Sequence, residues 1–297
     1  MDKKRIWNIS KLLFKLCLTA TLIYLVFQKI NYNQVKAIFL QSDPLYIFIA
    51  LLLLFCSQVV ACWRLTGFLG AAGITIPFIS NLRLYFIGLF YNNFLPGGIG
   101  GDGYKIYLLN RKYKKPVKQI FLSVLFDRLS GLWAICMLMI LCMFLLPIYF
   151  VSHAVLLFTL VAGSSLYYIL VRYFFREYSD YLVSGHLKGT IAQSLQVLGI
   201  VMILFSQHSS GNLIPYIFSF LLSSVATAIP VSIGGAGIRE FVMVKIAGPL
   251  QIDAALAVFT TLTFYFLSLI VSAPGLWYVW KKNEWNPLSS DTPAKSD

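Results

Sequence analysis

Six ionisable residues of this chain stand where chemistry could be done: Asp102, Lys105, Asp127, Arg128, Arg239 and Glu240. Three lie inside, and Glu240 just after, a phrase that occurs twice. Leu95-Pro96-Gly97-Gly98-Ile99-Gly100-Gly101-Asp102-Gly103-Tyr104-Lys105 reappears as Ile229-Pro230-Val231-Ser232-Ile233-Gly234-Gly235-Ala236-Gly237-Ile238-Arg239. Proline ends a preceding helix, because its ring clashes with the turn behind it and it has no N–H. The glycines then allow backbone angles that side chains forbid. A helix restarting near Gly103 or Gly237 would point unpaired N–H groups and a positive dipole end inward. Such an end accepts anions, phosphate among them.

Lys105 and Arg239 fall in the first turn of those helices, where the dipole disfavours a cation by about 0.3–1 kcal/mol. A bound anion would reverse that penalty. The competing reading is that Lys105 opens a basic cluster and Arg239 pairs with Glu240. Asp102 has Ala236 as its counterpart, and three roles stay open for it: helix cap, partner of a cationic headgroup, or proton carrier. Asp127 and Arg128 open an apolar run, where a central charge costs about 2.5–3.5 kcal/mol and turns to the bundle interior. Adjacent helical residues point about 100° apart, so one of the two, Arg128, is expected to snorkel to the interface. Asp127 then serves as an ion-coupling or headgroup carboxylate, or as the partner of a salt bridge to Arg239. The candidate binding set is Asn93, Pro96, Gly97, Gly98, Gly100, Gly101, Asp102, Gly103, Lys105, Asp127, Arg128, Pro230, Gly234, Gly235, Gly237, Arg239 and Glu240.

The elements that must position these residues are membrane helices. Of 297 residues, 59% are hydrophobic and 12% charged, against about 25% charged in a soluble domain. So little charge cannot cover a water-facing surface. Runs long enough to span, about 20 apolar residues each, are Leu12–Gln28, Pro44–Trp63, Leu132–Tyr149, His153–Phe174, Leu213–Ile229 and Ala254–Trp280, with Ile191–Phe205 shorter. Ile74–Leu95 carries Asn81, Arg83, Asn92 and Asn93, and Ile238–Leu250 is too short to cross; both adjoin the repeated phrase. These runs predict an all-α, polytopic bundle of about eight spans with an inverted-type repeat and two broken or re-entrant segments. Irregular backbone at membrane depth is tolerated when it is buried or lines a wet cavity, and a paired break in two halves points to a transporter's central site.

One transmembrane domain is expected over 1–285, with repeat halves near 12–150 and 151–281, then a polar tail. The repeat extends weakly, Ser123–Ser130 lying on Thr261–Ser268. The formal charge of +13 collects at the ends of apolar runs, as the positive-inside rule requires. Both termini are therefore expected in the cytoplasm and Arg64 at the cytoplasmic end of its span, while Glu177–Gly189 reads as a polar connection. The same pattern argues for anionic lipid headgroups and against nucleic acid. The basic start before Leu12 lacks a signal-peptide cleavage site.

Other chemistries find no support. Gly98-Ile99-Gly100-Gly101-Asp102-Gly103 is formally a dinucleotide fingerprint, but that motif needs a strand before it. The five cysteines lie in or beside apolar runs without metal spacing. His153, His186 and His208 sit at the edges of predicted loops, far apart. No cofactor, metal or nucleophile–base pair is expected.

Asn93-x-Leu-Pro-Gly-x-Ile-Gly-Gly-Asp-Gly, the run Phe126-Asp127-Arg128-Leu129 and Ile233-Gly-Gly-Ala-Gly-Ile-Arg-Glu240 resemble the flippase-like membrane region of the lysylphosphatidylglycerol synthase family. The likeness runs from Leu12 to about Trp280. It implies a lipid translocase of the bacterial inner membrane that moves a phospholipid, aminoacylated or not, or a lipid-linked precursor. The implied partners are membrane phospholipids and a separate lipid or sugar transferase, with homo-oligomerisation left open. A membrane subunit or enzyme that presents lipid to such a transferase is the alternative. A soluble lysyltransferase domain is not expected after Trp280, so the resemblance does not imply lysine attachment here. Relatives carry Arg after the tyrosine matching Tyr265; this chain has Phe266.

Overall fold

The computed structural model describes residues 24, 32–94, 100–146, 152–208, 211–228, 235, 237–281 and 285. The expected first span Leu12–Gln28 (Tyr24 apart), Pro96, Gly97, Gly98, Pro230, Gly234 and the tail from 286 lie outside the described residues. Among the described residues ten helices follow one another: α1 Tyr32–Leu40, α2 Pro44–Ala71, α3 Phe78–Phe94, α4 Gly100–Tyr113, α5 Val117–Leu145, α6 His153–Phe174, α7 Arg176–Phe205, α8 Ile214–Thr227, α9 Ile238–Ala247 and α10 Ala254–Trp280. The described secondary structure is entirely helical. Five of these described helices, α2, α5, α6, α7 and α10, are long and apolar enough to cross a membrane.

The termini of the long helices carry the expected stop and start signals. Asp43 caps α2 by accepting from Leu45 N, ahead of Pro44 in the first turn. Asp253 caps α10 by accepting from Ala255 N and Leu256 N at 2.7 and 3.0 Å. Each such cap contributes about 1 kcal/mol.

The order short helix, break, short helix, long helix occurs twice, as α3–α4–α5 and α8–α9–α10. With about 1.5 Å of rise per residue, the 17-residue α3, the 14-residue α4 and α8 and the 10-residue α9 are each too short to span a hydrocarbon core of about 30 Å. The helices of each pair pack on one another as a hairpin, with the described part of the glycine phrase, Gly100–Lys105 or Gly235 and Gly237–Arg239, at the start of the second helix. The hairpins enter from opposite ends. Trp285, beyond the end of α10, donates to Ser80 O at the start of α3 and lies against Tyr113 at the end of α4. Asp253 N, at the start of α10, instead donates to Tyr216 Oη at the start of α8, and Ile252 N to Ala247 O at the end of α9.

Charge divides along the same axis. Arg111, Lys112, Lys114, Lys115, Lys118, Arg172, Arg176 and Lys281 fall at the α3–α4 end, while Lys36 and Lys245 are the described cations at the other. Two apolar cores match this division. One joins α8, α9 and α10 to the start of α2 and the ends of α5 and α7. The other joins α3 and α4 to the end of α2 and the starts of α5 and α7.

The expected polar connection Glu177–Gly189 is instead the first half of α7. No proline interrupts it, and its glycines are packing sites rather than breaks. A Cβ on Gly185 would lie 2.6 Å from Phe68, and one on Gly199 2.5 Å from Leu54. Small residues spaced along one face let membrane helices approach closely, and here they seat α7 against α2. The expected end of a span at Trp63 also moves: α2 continues to Ala71.

Candidate functional site: two hairpin tips on the middle of α10

The middle of α10 receives both tips. Asn93, near the end of α3, donates from Nδ2 to Ser268 O at 3.4 Å. Arg239, in the first turn of α9, lies over the Phe264 ring with Cζ 4.9 Å from its centroid. Phe264 and Ser268 are four residues apart, about one helical turn. Lower on α10, Pro274 sits inside the helix and Gly275 lets α3 approach, since a Cβ there would stand 2.1 Å from Phe86 O.

At the first tip the helix starts at Gly100 rather than Gly103. Gly101 presses on α3: a Cβ would fall 1.9 Å from Gly88 O. Its N–H, expected to be free, donates to Asn92 Oδ1 at 2.9 Å. Asp102 does not act as a free cap either. Its Oδ1 lies 2.7 Å from Lys105 Nζ, and its Oδ2 accepts from Arg128 Nε at 2.8 Å and lies 2.7 Å from Nη2. Lys105 reaches this carboxylate by crossing Gly88, where a Cβ would be 2.8 Å from its Cδ and Cε. Arg128 pairs with Asp102, and its side chain keeps 54% exposure while Lys105 and Asp102 are buried.

Asp127 is paired with Arg64, not Arg239: Arg64 Nε donates to its Oδ1 at 2.8 Å. Sequence reasoning placed Arg64 at the edge of a span; it is buried, with its guanidinium between Gly131 and Gly189. The apolar residues continuing past it, Leu65, Phe68 and Leu69, were the signal that the helix runs on. His186 is likewise not at a loop edge. It stacks between Trp133 and Tyr167 and faces Ser130 Oγ at 3.0 Å, and nothing in its sequence neighbourhood announced this.

The second tip is built differently. Gly235 and Gly237 take φ of +84° and +83°, the left-handed region that favours glycine. Gly237 caps α9, and its N–H, again expected to be free, donates to Glu240 Oε2 at 2.7 Å. Glu240 is therefore used by the backbone as a reciprocal cap, and Arg239 does not pair with it at ion-pair distance. Arg239 Nη1 donates to Ser224 Oγ at 3.2 Å, and its guanidinium lies between Phe220 and Phe264 at 5.1 and 4.9 Å. Among the described residues no carboxylate forms a salt bridge with it.

The weak extension of the repeat explains this difference. Asp102 and Arg128 correspond to Ala236 and Phe266, so both partners of one salt bridge are replaced together in the second copy. Lys105 corresponds to Arg239, which has thereby lost the acid that neutralises its counterpart. No group of three or more His, Cys, Asp or Glu residues that could hold a metal occurs among the described residues.

Short hairpins, buried charge and long helices with exposed apolar faces define a multi-pass helical membrane protein with two re-entrant segments. The chain matches the transmembrane region of lysylphosphatidylglycerol synthase over residues 12–188 and belongs to that family. It is also similar to UPF0104 membrane protein PH1989 of Pyrococcus horikoshii, with 24% identity over 123 residues, 41% of this chain and 37% of that protein. The match thus spans well under half the length of this relative.

Proposed function

We propose that this protein is a lipid translocase whose hairpin tips take the phosphate of a phospholipid, aminoacylated or not, or of a lipid-linked precursor. The observation that carries this reading is Arg239: a cation at the inward tip of a membrane hairpin, set between two aromatic faces with no salt-bridged carboxylate. An unpaired charge in such a place is costly unless a ligand completes it. The N-terminal dipole of α9 adds attraction for the same anion. The tip backbone N–H groups of Gly101 and Gly237 are already used, so recognition falls to side chains: Arg239 at one tip, the exposed face of Arg128 at the other. Hairpins entering from opposite ends would give each membrane face its own way to the middle of α10, the arrangement that alternating access needs. By the positive-inside rule the α3–α4 end and both termini face the cytoplasm of a bacterial inner membrane.

The test is a dithionite assay in proteoliposomes containing fluorescent phosphatidylglycerol. The wild-type protein raises the fraction of label quenched above that of empty vesicles, and Arg239→Gln lowers the rate at least about tenfold, the loss of one charge-assisted contact. An unaltered rate in the variant, or no flipping by the wild type, contradicts the proposal.

A further inference from the structure

The two tips are not electrically equivalent. At the first, Lys105 and Arg128 share the single carboxylate of Asp102, and the neighbouring Arg64–Asp127 pair is self-compensating. One positive charge is left over. At the second, Arg239 and Glu240 are adjacent in sequence and of opposite sign, so the tip is neutral although the two do not pair. A phosphate monoanion brings the first tip to neutrality, and brings the second to a net negative charge. An uncompensated charge in a low-dielectric interior is expensive, and such groups neutralise by changing protonation instead.

We propose, building on the translocase reading, that Glu240 is the proton-binding site of this protein and takes up a proton when an anionic headgroup occupies Arg239. Glu240 is 3% exposed. The groups that face it are known from every helix packed on α9. On α9 itself this is Arg239; Lys245, further along the helix, is exposed and lies over Phe241. Thr261 and Tyr265 approach from α10, while α8 contributes the uncharged Ser224 and Thr227 near Arg239 and Gly235. No second acid is among them, so Glu240 is the group that can restore neutrality. Its carboxylate also accepts from Gly237 N, so protonation weakens the cap that holds the left-handed glycines of the tip. Anion binding, proton uptake and release of the hinge are then one event. The anion rests at the first tip without a proton and at the second with one, which couples its passage to proton movement.

Glutamine can also cap a helix from this position, with a neutral oxygen like that of a protonated glutamate, so Glu240→Gln imitates the protonated state and removes the titration. Dihexanoyl phosphatidylglycerol is titrated calorimetrically at neutral pH into the detergent-solubilised full chain, in two buffers of different ionisation enthalpy. The difference in heat counts protons taken up per lipid bound. Wild type is expected to take up about one proton per lipid by linkage, and Glu240→Gln, already neutral, none. Binding by wild type without uptake, or the same uptake in Glu240→Gln, overturns the inference and leaves the translocase reading standing. Absence of binding by wild type overturns both. If the variant misfolds, wild-type binding without uptake still overturns the inference.

Discussion

Arg128 holds Asp102 from two nitrogens, Nε at 2.8 Å and Nη2 at 2.7 Å, both on Oδ2, across the gap between α5 and α4. The second copy of the repeat has Phe266 and Ala236 at those positions. A salt bridge between a half-exposed arginine and a buried carboxylate is replaced there as a unit by an apolar pair, so that neither charge is left without its partner.

That exchange can be transplanted. Asp102→Ala alone leaves Lys105 and Arg128 without their carboxylate and is expected to destabilise by about 3–5 kcal/mol, the usual cost of breaking a buried pair from one side. Adding Arg128→Phe recovers part of the loss, because Lys105 is then the single uncompensated cation. Thermal melting in detergent of wild type, both singles and the double gives the coupling; strictly additive losses contradict the pairing.

Arg64 and Asp127 form the second buried pair, each side chain under 10% exposed at 7% and 5%. Removing either partner, as Arg64→Met or Asp127→Leu, is expected to cost about 3–5 kcal/mol, and removing both to cost less than the two losses summed. The same melting measurement checks it.

The glycines of the first phrase differ in what they do. Gly101→Ala places a methyl 1.9 Å from the Gly88 carbonyl, and Gly275→Ala one 2.1 Å from that of Phe86. Backbone cannot step aside cheaply, so both variants lose about 1–3 kcal/mol or more by overpacking. Gly103 has nothing within 4 Å of its added Cβ, and Gly103→Ala is expected to melt as wild type does.

Opposite entry of the hairpins predicts opposite labelling. Lys114 follows α4 and Gln251 follows α9, and both are exposed. In a background without native cysteines, Lys114→Cys and Gln251→Cys in sealed, uniformly oriented vesicles should react with a membrane-impermeant maleimide from opposite sides. Labelling of both from one side contradicts the inverted arrangement.

Much of this was legible in the residues. Low charge and long apolar runs predicted a helical membrane bundle, and Pro-Gly clusters marked both hairpin tips, because helix breaks are local chemistry. The partners of the buried charges were not legible. Asp127 looked equally able to meet Arg239, and only the packing of α2 on α7 through Gly185 and Gly189 brings Arg64 to it. The helical character of Glu177–Gly189 was obscured for a related reason: its polar residues suggest a loop, while its glycines are explained by Phe68 and Arg64 on another helix. The tip amides looked free because their acceptors, Asn92 and Glu240, are side chains whose rotamers the sequence does not fix.

The most direct measurement is native mass spectrometry of the purified protein with lipids retained. Wild type is expected to carry bound phosphate-headgroup lipid that survives gentle activation. Arg239→Gln, folded by its melting temperature, is expected to lose most of it, whereas Gly103→Ala keeps it. Equal lipid retention by wild type and Arg239→Gln would contradict an anion site at the hairpin tips.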